Sequence, residues 1–228
     1  MSDRIHRLSK IRSRQGLYEF LEPQFERIEK GSSVLTVGAG GGVNERLRSY
    51  ASQNQFEVAS FDIDEKKEPD ILGDLCTYDF SNSQYDIVVV SEVLEHLHSP
   101  HLGTENLFNA LKPGGKLILT TPFIFPIHDR PYDYFRYTKY GLLHLLSNFE
   151  EVNVMERNSA LEAIDVLWMR MSKVKGKHTF FLKRLALYTV FYIKRPITLF
   201  LMKYLDTDIM TTGYNVTAVK PKKPLNDS

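Results

Sequence analysis

The sequence predicts a doubly wound α/β protein on a largely parallel sheet, and three observations predict it. Short strand-like runs alternate with helix-like ones from residue 34 to residue 156. Residues 86–90 (DIVVV) are apolar without alternation, as in a parallel strand covered on both faces. The first strand, 34–37, runs straight into GAGGG (38–42) and then a helix-like stretch, the tight turn of an α/β unit.

The elements follow in order. Leu17, Phe20, Leu21, Phe25 and Ile28 recur at helical spacing within 14–30. A helix is expected over 44–52, and a second strand over 56–61 that ends in the acidic DIDE. A short third strand or a bridge is expected over 70–75, and a fourth strand over 86–90. Residues 93–97 start a helix, and Glu92, Glu95 and His96, at i, i+3 and i+4, share one of its faces. A helix over 104–111 is stopped by Lys112-Pro113-Gly114-Gly115. Then come a strand over 116–121, an aromatic and proline-rich loop over 122–137, a helix over 138–147 and a strand over 151–156. Residues 160–205 read as mostly helical with a gap near Gly176, and 214–220 as a final strand before a loose tail. The organisation expected is a helical cap (1–30), a core (31–157), a basic, apolar helical lid (158–208), and the last strand with its tail (209–228).

The 228 residues, 43% hydrophobic and 25% charged, suffice for one sizeable core with a small appendage. The single cysteine, Cys76, excludes an internal disulfide and a Cys-rich zinc site. With an N-terminus that lacks an apolar signal region, it points to the cytoplasm. A net charge of +1 is not that of a nucleic-acid binder. The charge is uneven, however: residues 166–205 hold nine of the 29 Lys and Arg and none of the 28 Asp and Glu. An anionic partner should therefore act there.

Ligands of parallel α/β sheets bind at the carboxyl ends of the strands. That rule selects 38–42, 62–64, 74–76, 91–96 and 122–137. The glycine turn is not a nicotinamide fingerprint, since Val43 stands where G-x-G-x-x-G needs its last glycine, and the P-loop Gly-Lys-Ser/Thr is absent. Asp62, 20 residues after Gly42, can accept both hydrogen bonds of a ribose diol. The plainer reading of DIDEKKE is a solvated turn.

Five stretches (VLTVGAGGG, SFDID, ILGDL, YDIVVVSEVLEHL and LKPGGKLILTTP) cover about residues 30–155, and as a set the chain resembles the class I S-adenosylmethionine (SAM)-dependent methyltransferases. The resemblance implies a Rossmann-like sheet of seven strands, SAM as cofactor and S-adenosylhomocysteine as product. It implies that Gly38, Ala39, Gly40 and Gly42 wrap the methionine end of the cofactor. Asp62, with Ile63, would hold the ribose; Asp74, with the Leu75 amide, the adenine amino group; Ser91 and Glu92 would line the floor. One position departs: Thr36 stands where the family has an acid that helps hold the cofactor's ammonium group.

The loop TPFIFPIHDRPYDYFRYTKYGLLHLL follows a strand end and should face the transferred methyl. His128 is the preferred base, with His96 as the other choice and Asp129 beside it, because an imidazole titrates near working pH. Arg136 could grip an acceptor carboxylate or phosphate, or pair with Asp133 to shape the loop. The loop resembles that of type 11 bacterial methyltransferases associated with envelope polysaccharide synthesis. This implies O-methylation of a small-molecule, glycan or lipid-linked hydroxyl. Neither an Asn/Asp-Pro-Pro-Tyr motif nor a Pro-Cys nucleophile is present, so DNA is not the expected acceptor. The main reading uses no metal. The alternative is a divalent metal on Glu92, Glu95, His96 and His128, a pattern that resembles metal-assisted O-methyltransferases of quinone precursors or RNA ends. A rival of another class, a non-catalytic SAM-binding scaffold, rests on Thr36 alone.

Residues 166–205 have no uncharged run longer than the nine residues 185–193, too short to cross a bilayer. They read as a helical lid, as a basic amphipathic surface on anionic lipid at the inner face of the membrane, or as a pocket for a lipid-linked or phosphorylated acceptor.

Overall fold

In the computed structural model, the residues described are 14–81, 84–171 and 210–222, with positions 189, 192–194, 196–197, 200–201 and 204 between them. The elements are α1 (Gln15–Glu26), β1 (Ser33–Val37), α2 (Gly42–Asn54), β2 (Glu57–Asp62), β3 (Ile71–Leu72), β4 (Tyr85–Ser91), α3 (Pro100–Ala110), β5 (Leu111–Pro122), α4 (Lys139–Leu145), β6 (Glu150–Glu156), α5 (Ala160–Met171) and β7 (Gly213–Val219). They form one seven-stranded sheet in the order β3-β2-β1-β4-β5-β7-β6. β1 pairs parallel with β2 and β4, and β4 with β5; β7 is antiparallel to both β5 and β6.

The apolar runs are continuous because successive residues feed two different cores. Val34, Val89 and Ile118 pack on one face against Leu17, Leu21 and Phe25 of α1 and Leu47 of α2. Leu35, Val88, Val90 and Leu117 face the other way, onto Leu107 and Ala110 of α3. Removing either layer of helices would leave half of each strand's apolar side chains in water, so helices on both faces follow from the strand composition.

β1, β2 and β4 bring their carboxyl ends together, and β5 and β6 run in the same direction beside β7. The segment between β6 and β7 therefore leaves and returns at the same end of the sheet as the glycine turn. Asn158 Oδ1 staples its two ends by accepting from Thr212 N at 3.0 Å and Thr211 Oγ1 at 3.2 Å.

Two expectations about local structure change. Residues 93–97 do not begin a helix. Glu92 has φ +55°, and only a 3-10 turn, Leu94–His96, follows. Pro100 opens α3, and the residue before a proline is biased away from helix, so the chain extends after Leu97 instead of continuing to coil. The shared helical face of Glu92, Glu95 and His96 is thereby lost. The third strand shrinks to two residues paired with Phe61 and Asp62 at the sheet edge. Gly176 and residues 223–228 lie outside the described residues. Among the described residues, no helix is long and apolar enough to cross a membrane.

Candidate active site

The glycine turn closes against β2. Gly38 has φ +94° and donates its N–H to Phe61 O at 2.9 Å. A Cβ on Gly38 would sit 3.1 Å from Val93 Cγ2, so any larger residue would push on the start of the β4 loop. Gly41, which the sequence reading passed over, has φ +88° and caps α2. Asp62 Oδ2 accepts from Ala39 N at 2.8 Å, and Oδ1 from Asp64 N at 2.9 Å. The carboxylate thus fixes the turn and keeps further lone pairs for a diol. Ile63 beside it is 70% exposed, an apolar side chain open for a ring to cover.

Asp74 Oδ1 accepts from Cys76 N at 2.9 Å, and its Oδ2 lies 3.5 Å from His98 Nε2. Leu75 is buried, and its carbonyl accepts from Asn106 Nδ2 at 2.9 Å. Ser91 Oγ shares a hydrogen bond with Thr120 Oγ1 at 3.0 Å. Thr36 is buried in register with Ser60 and Val89.

Glu92 turns away from Glu95 and meets a residue the sequence reading missed. Arg157, buried at the end of β6, donates from Nη2 to Glu92 Oε1 at 2.5 Å, from Nη1 to Glu92 Oε2 at 3.4 Å, and from Nη2 to Thr121 O at 3.3 Å. The guanidinium packs against Gly213, where a Cβ would come within 2.7 Å of Arg157 Cζ. Burial works to raise the Glu92 carboxyl, but the charge and hydrogen bonds of Arg157 win and hold it below the usual carboxylate range.

The second half of the site faces the loop after β5. The Glu95 side chain is fully buried, and neither of its oxygens has a hydrogen-bond partner. Its Oε1 lies 3.6 Å from His96 Nε2 and 3.7 Å from His128 Nε2, with the two rings 5.0 Å apart at 72°. His96 Nδ1 is 2.7 Å from Tyr132 O. A carbonyl only accepts, so that nitrogen carries the hydrogen. His128 Nδ1 lies 3.2 Å from Asp133 Oδ2 without the alignment of a hydrogen bond, and that oxygen accepts from His128 N at 2.9 Å. Burial pushes the Glu95 carboxyl up. The Glu95 carboxylate raises His128 above the ordinary imidazole value, burial opposes it, and Asp133 adds to the rise.

Arg136 binds Asp133 through both nitrogens, at 2.5 and 2.8 Å, and also donates to Phe135 O and Phe125 O. The pairing expected between Arg136 and Asp133 is therefore present. Asp129 Oδ2 is 3.9 Å from His96 Nε2 on a mostly exposed side chain. The structure therefore brings together Glu95, His96 and His128 as a group that could hold a metal ion, and leaves Glu92 outside it with Arg157.

The strand order and the sites at the strands' carboxyl ends define the fold of class I SAM-dependent methyltransferases. Residues 2–191 match the family described as the methyltransferase domain, and the chain belongs to that family. It is 27% identical over 96 residues to a demethylmenaquinone methyltransferase of Renibacterium salmoninarum, covering 39% of this chain and 40% of that one. The chain thus matches less than half the length of that curated relative. Its structure resembles that of Haemonchus contortus phosphoethanolamine N-methyltransferase 2 in complex with S-adenosyl-L-methionine, with TM-score 0.54 and 20% identity over 91% of this chain and 52% of that one. A SAM-dependent methyltransferase from Archaeoglobus fulgidus superposes with TM-score 0.57 and 16% identity, covering 92% and 93% of the two chains.

Proposed function

We propose that the protein transfers a methyl group from SAM to a hydroxyl oxygen of an acceptor held between the loop 122–137 and the carboxyl end of the sheet. The single observation that carries the reading is the buried Glu95 carboxylate with two imidazole Nε2 atoms turned towards it, at 3.6 and 3.7 Å. A hydroxyl is a weak nucleophile until its proton leaves, and an imidazole whose charge is met by a buried carboxylate can take that proton. The sulfonium supplies the methyl: an O–C bond forms as the C–S bond breaks, and the sulfur keeps the electron pair as a neutral thioether. His128 accepts the acceptor's proton at Nε2, and Glu95 stabilises the resulting imidazolium. Asp133 holds the loop at this point by accepting from the His128 backbone N–H, and its charge lies beside Nδ1. Asp62 and Asp74 would hold the ribose and adenine ends. Ser91 and Glu92, the latter paired with Arg157, would line the floor of the cofactor site. The loop's resemblance supports a small-molecule, glycan or lipid-linked acceptor of the kind used in envelope polysaccharide synthesis.

Calorimetric titration with S-adenosylhomocysteine, beside Asp62→Ala and with NAD as control, tests the cofactor. His128→Ala, assayed with labelled SAM on envelope fractions, should lose turnover by about 10²–10⁴-fold and keep cofactor affinity. Equal loss of both would remove His128 from the chemistry.

A second reading, metal-assisted transfer, is favoured by one observation. With Nδ1–H of His96 held on Tyr132 O, its Nε2 faces the Glu95 carboxylate, and so does Nε2 of His128. A proton or a cation must sit among them. Glu95, His96 and His128 would hold a divalent ion, which would lower the pKa of an acceptor hydroxyl. Activity lost on chelation and restored by Mg²⁺, Mn²⁺ or Zn²⁺ would select this reading; activity indifferent to chelation would eliminate it.

A further inference from the structure

We propose that the insertion between β6 and β7 docks the protein on an anionic lipid surface, with the acceptor-facing end of the sheet turned towards it. Ile193, Ile197 and Phe200 are helical positions and Tyr204 lies in a turn after them. The three helical positions are spaced four and three apart, as residues sharing a helical face are, and the exposed Tyr192 and Leu201 flank them. Ile193, Ile197, Phe200 and Tyr204 are exposed, at 67%, 57%, 59% and 71%. One exposed apolar side chain is ordinary, but a stripe of four is an interaction surface.

The stripe is held to the body of the protein. Lys194 Nζ donates to Asp165 Oδ1 at 2.7 Å, and Asp165 is a buried residue of α5. Both ends of the insertion are fixed at the acceptor-facing end of the sheet, where the loop after β5 also starts: Phe123 N donates to Thr212 O at 2.8 Å, and Asn158 joins Thr211 and Thr212. The same loop exposes Ile127 and Tyr132.

Charge decides the occupant. Residues 166–205 carry nine Lys and Arg and no Asp or Glu. A partner must offer diffuse negative charge and, just beneath it, room for aliphatic and aromatic side chains. An anionic bilayer offers both at once. Tyrosine suits that boundary, with an apolar ring and a hydroxyl kept in water. No uncharged run in 166–205 exceeds nine residues, far short of the length that crosses a bilayer, so the contact proposed is peripheral. Docking does not depend on which acceptor is methylated. It would bring the sheet's acceptor side to lipid-borne hydroxyls.

Flotation of the full chain with phosphatidylcholine vesicles, with and without phosphatidylglycerol, tests the inference. The protein should float with the anionic vesicles and not with the neutral ones, and high salt should weaken binding about tenfold or more. The double variant Ile197→Ser/Phe200→Ser should lose about tenfold in vesicle affinity. Its melting temperature and its affinity for S-adenosylhomocysteine should stay unchanged, because both side chains are exposed and neither belongs to the cofactor-binding positions. Absence of flotation, equal binding to neutral vesicles, or a double variant that floats like the wild type would overturn it. So would light scattering that shows a wild-type dimer dissolved by the double substitution, since a second copy would then cover the stripe. The cofactor titration reads the methyltransferase assignment separately, so either conclusion can fail alone.

Discussion

Arg157→Met should be the most damaging single change away from the proton-accepting cluster. It removes both hydrogen bonds to Glu92 and leaves a carboxylate, 26% exposed, that keeps only Thr120 as a named partner. Breaking one partner from a buried ion pair costs about 3–5 kcal/mol. Water reaches a quarter of Glu92, so the lower end, about 3 kcal/mol, is expected. For a chain of this size that is roughly a 6–12 °C fall in melting temperature. Adding Glu92→Gln should recover about 2 kcal/mol, because the orphaned charge disappears with the second change. Urea unfolding of the wild type, both single variants and the double completes the cycle. The sign with pH is also fixed. The Glu92 carboxyl is depressed in the fold, so its pairing stabilises above the unfolded carboxylate pKa and fades as pH falls through the folded one. The Arg157→Met deficit should therefore shrink in acid. A single-variant cost under about 1 kcal/mol, or a double variant equal to the sum of the singles, would refute the buried-pair account.

Other consequences can be checked in parallel. Because His128 is raised above its ordinary 6.5 and must be neutral to accept a proton, kcat/KM should rise with pH and reach half its plateau above that value; a flat profile would count against the base. Asp133→Asn should cost about 3 kcal/mol, since the Asp133 side chain is 2% exposed and grips Arg136 through both oxygens. Its carboxyl is held well below the usual range, so thermal melts should show the deficit persisting from neutral pH down to strongly acidic conditions. Gly38→Ala should weaken S-adenosylhomocysteine binding about tenfold or more, because φ +94° and the 3.1 Å approach to Val93 both resist a Cβ; unchanged binding would place the cofactor elsewhere.

The sequence by itself determined the parts that depend on neighbouring residues. Unbroken apolar runs such as DIVVV required a sheet covered on both faces, and Val89 and Val90 do feed opposite cores. The glycine run marks the turn from β1 into α2, where Gly38 has positive φ as expected and Gly41 takes the second such position, and Asp62 follows at the end of the next strand. These signals are local, set by period and backbone freedom, so they survive in the chain's linear order.

Only the tertiary structure decided which side chains meet. Glu92 and Glu95 are three residues apart, yet the left-handed backbone at Glu92 and the 3-10 turn after it send one to Arg157 and the other to two histidines. Arg157 is 65 residues from Glu92 in sequence, and no spacing rule links them. That Arg136 pairs with Asp133 through both nitrogens is likewise visible only in the structure. Such pairings depend on where strands from distant parts of the chain end in space. Packing of the whole sheet fixes that, and a residue's immediate neighbours do not.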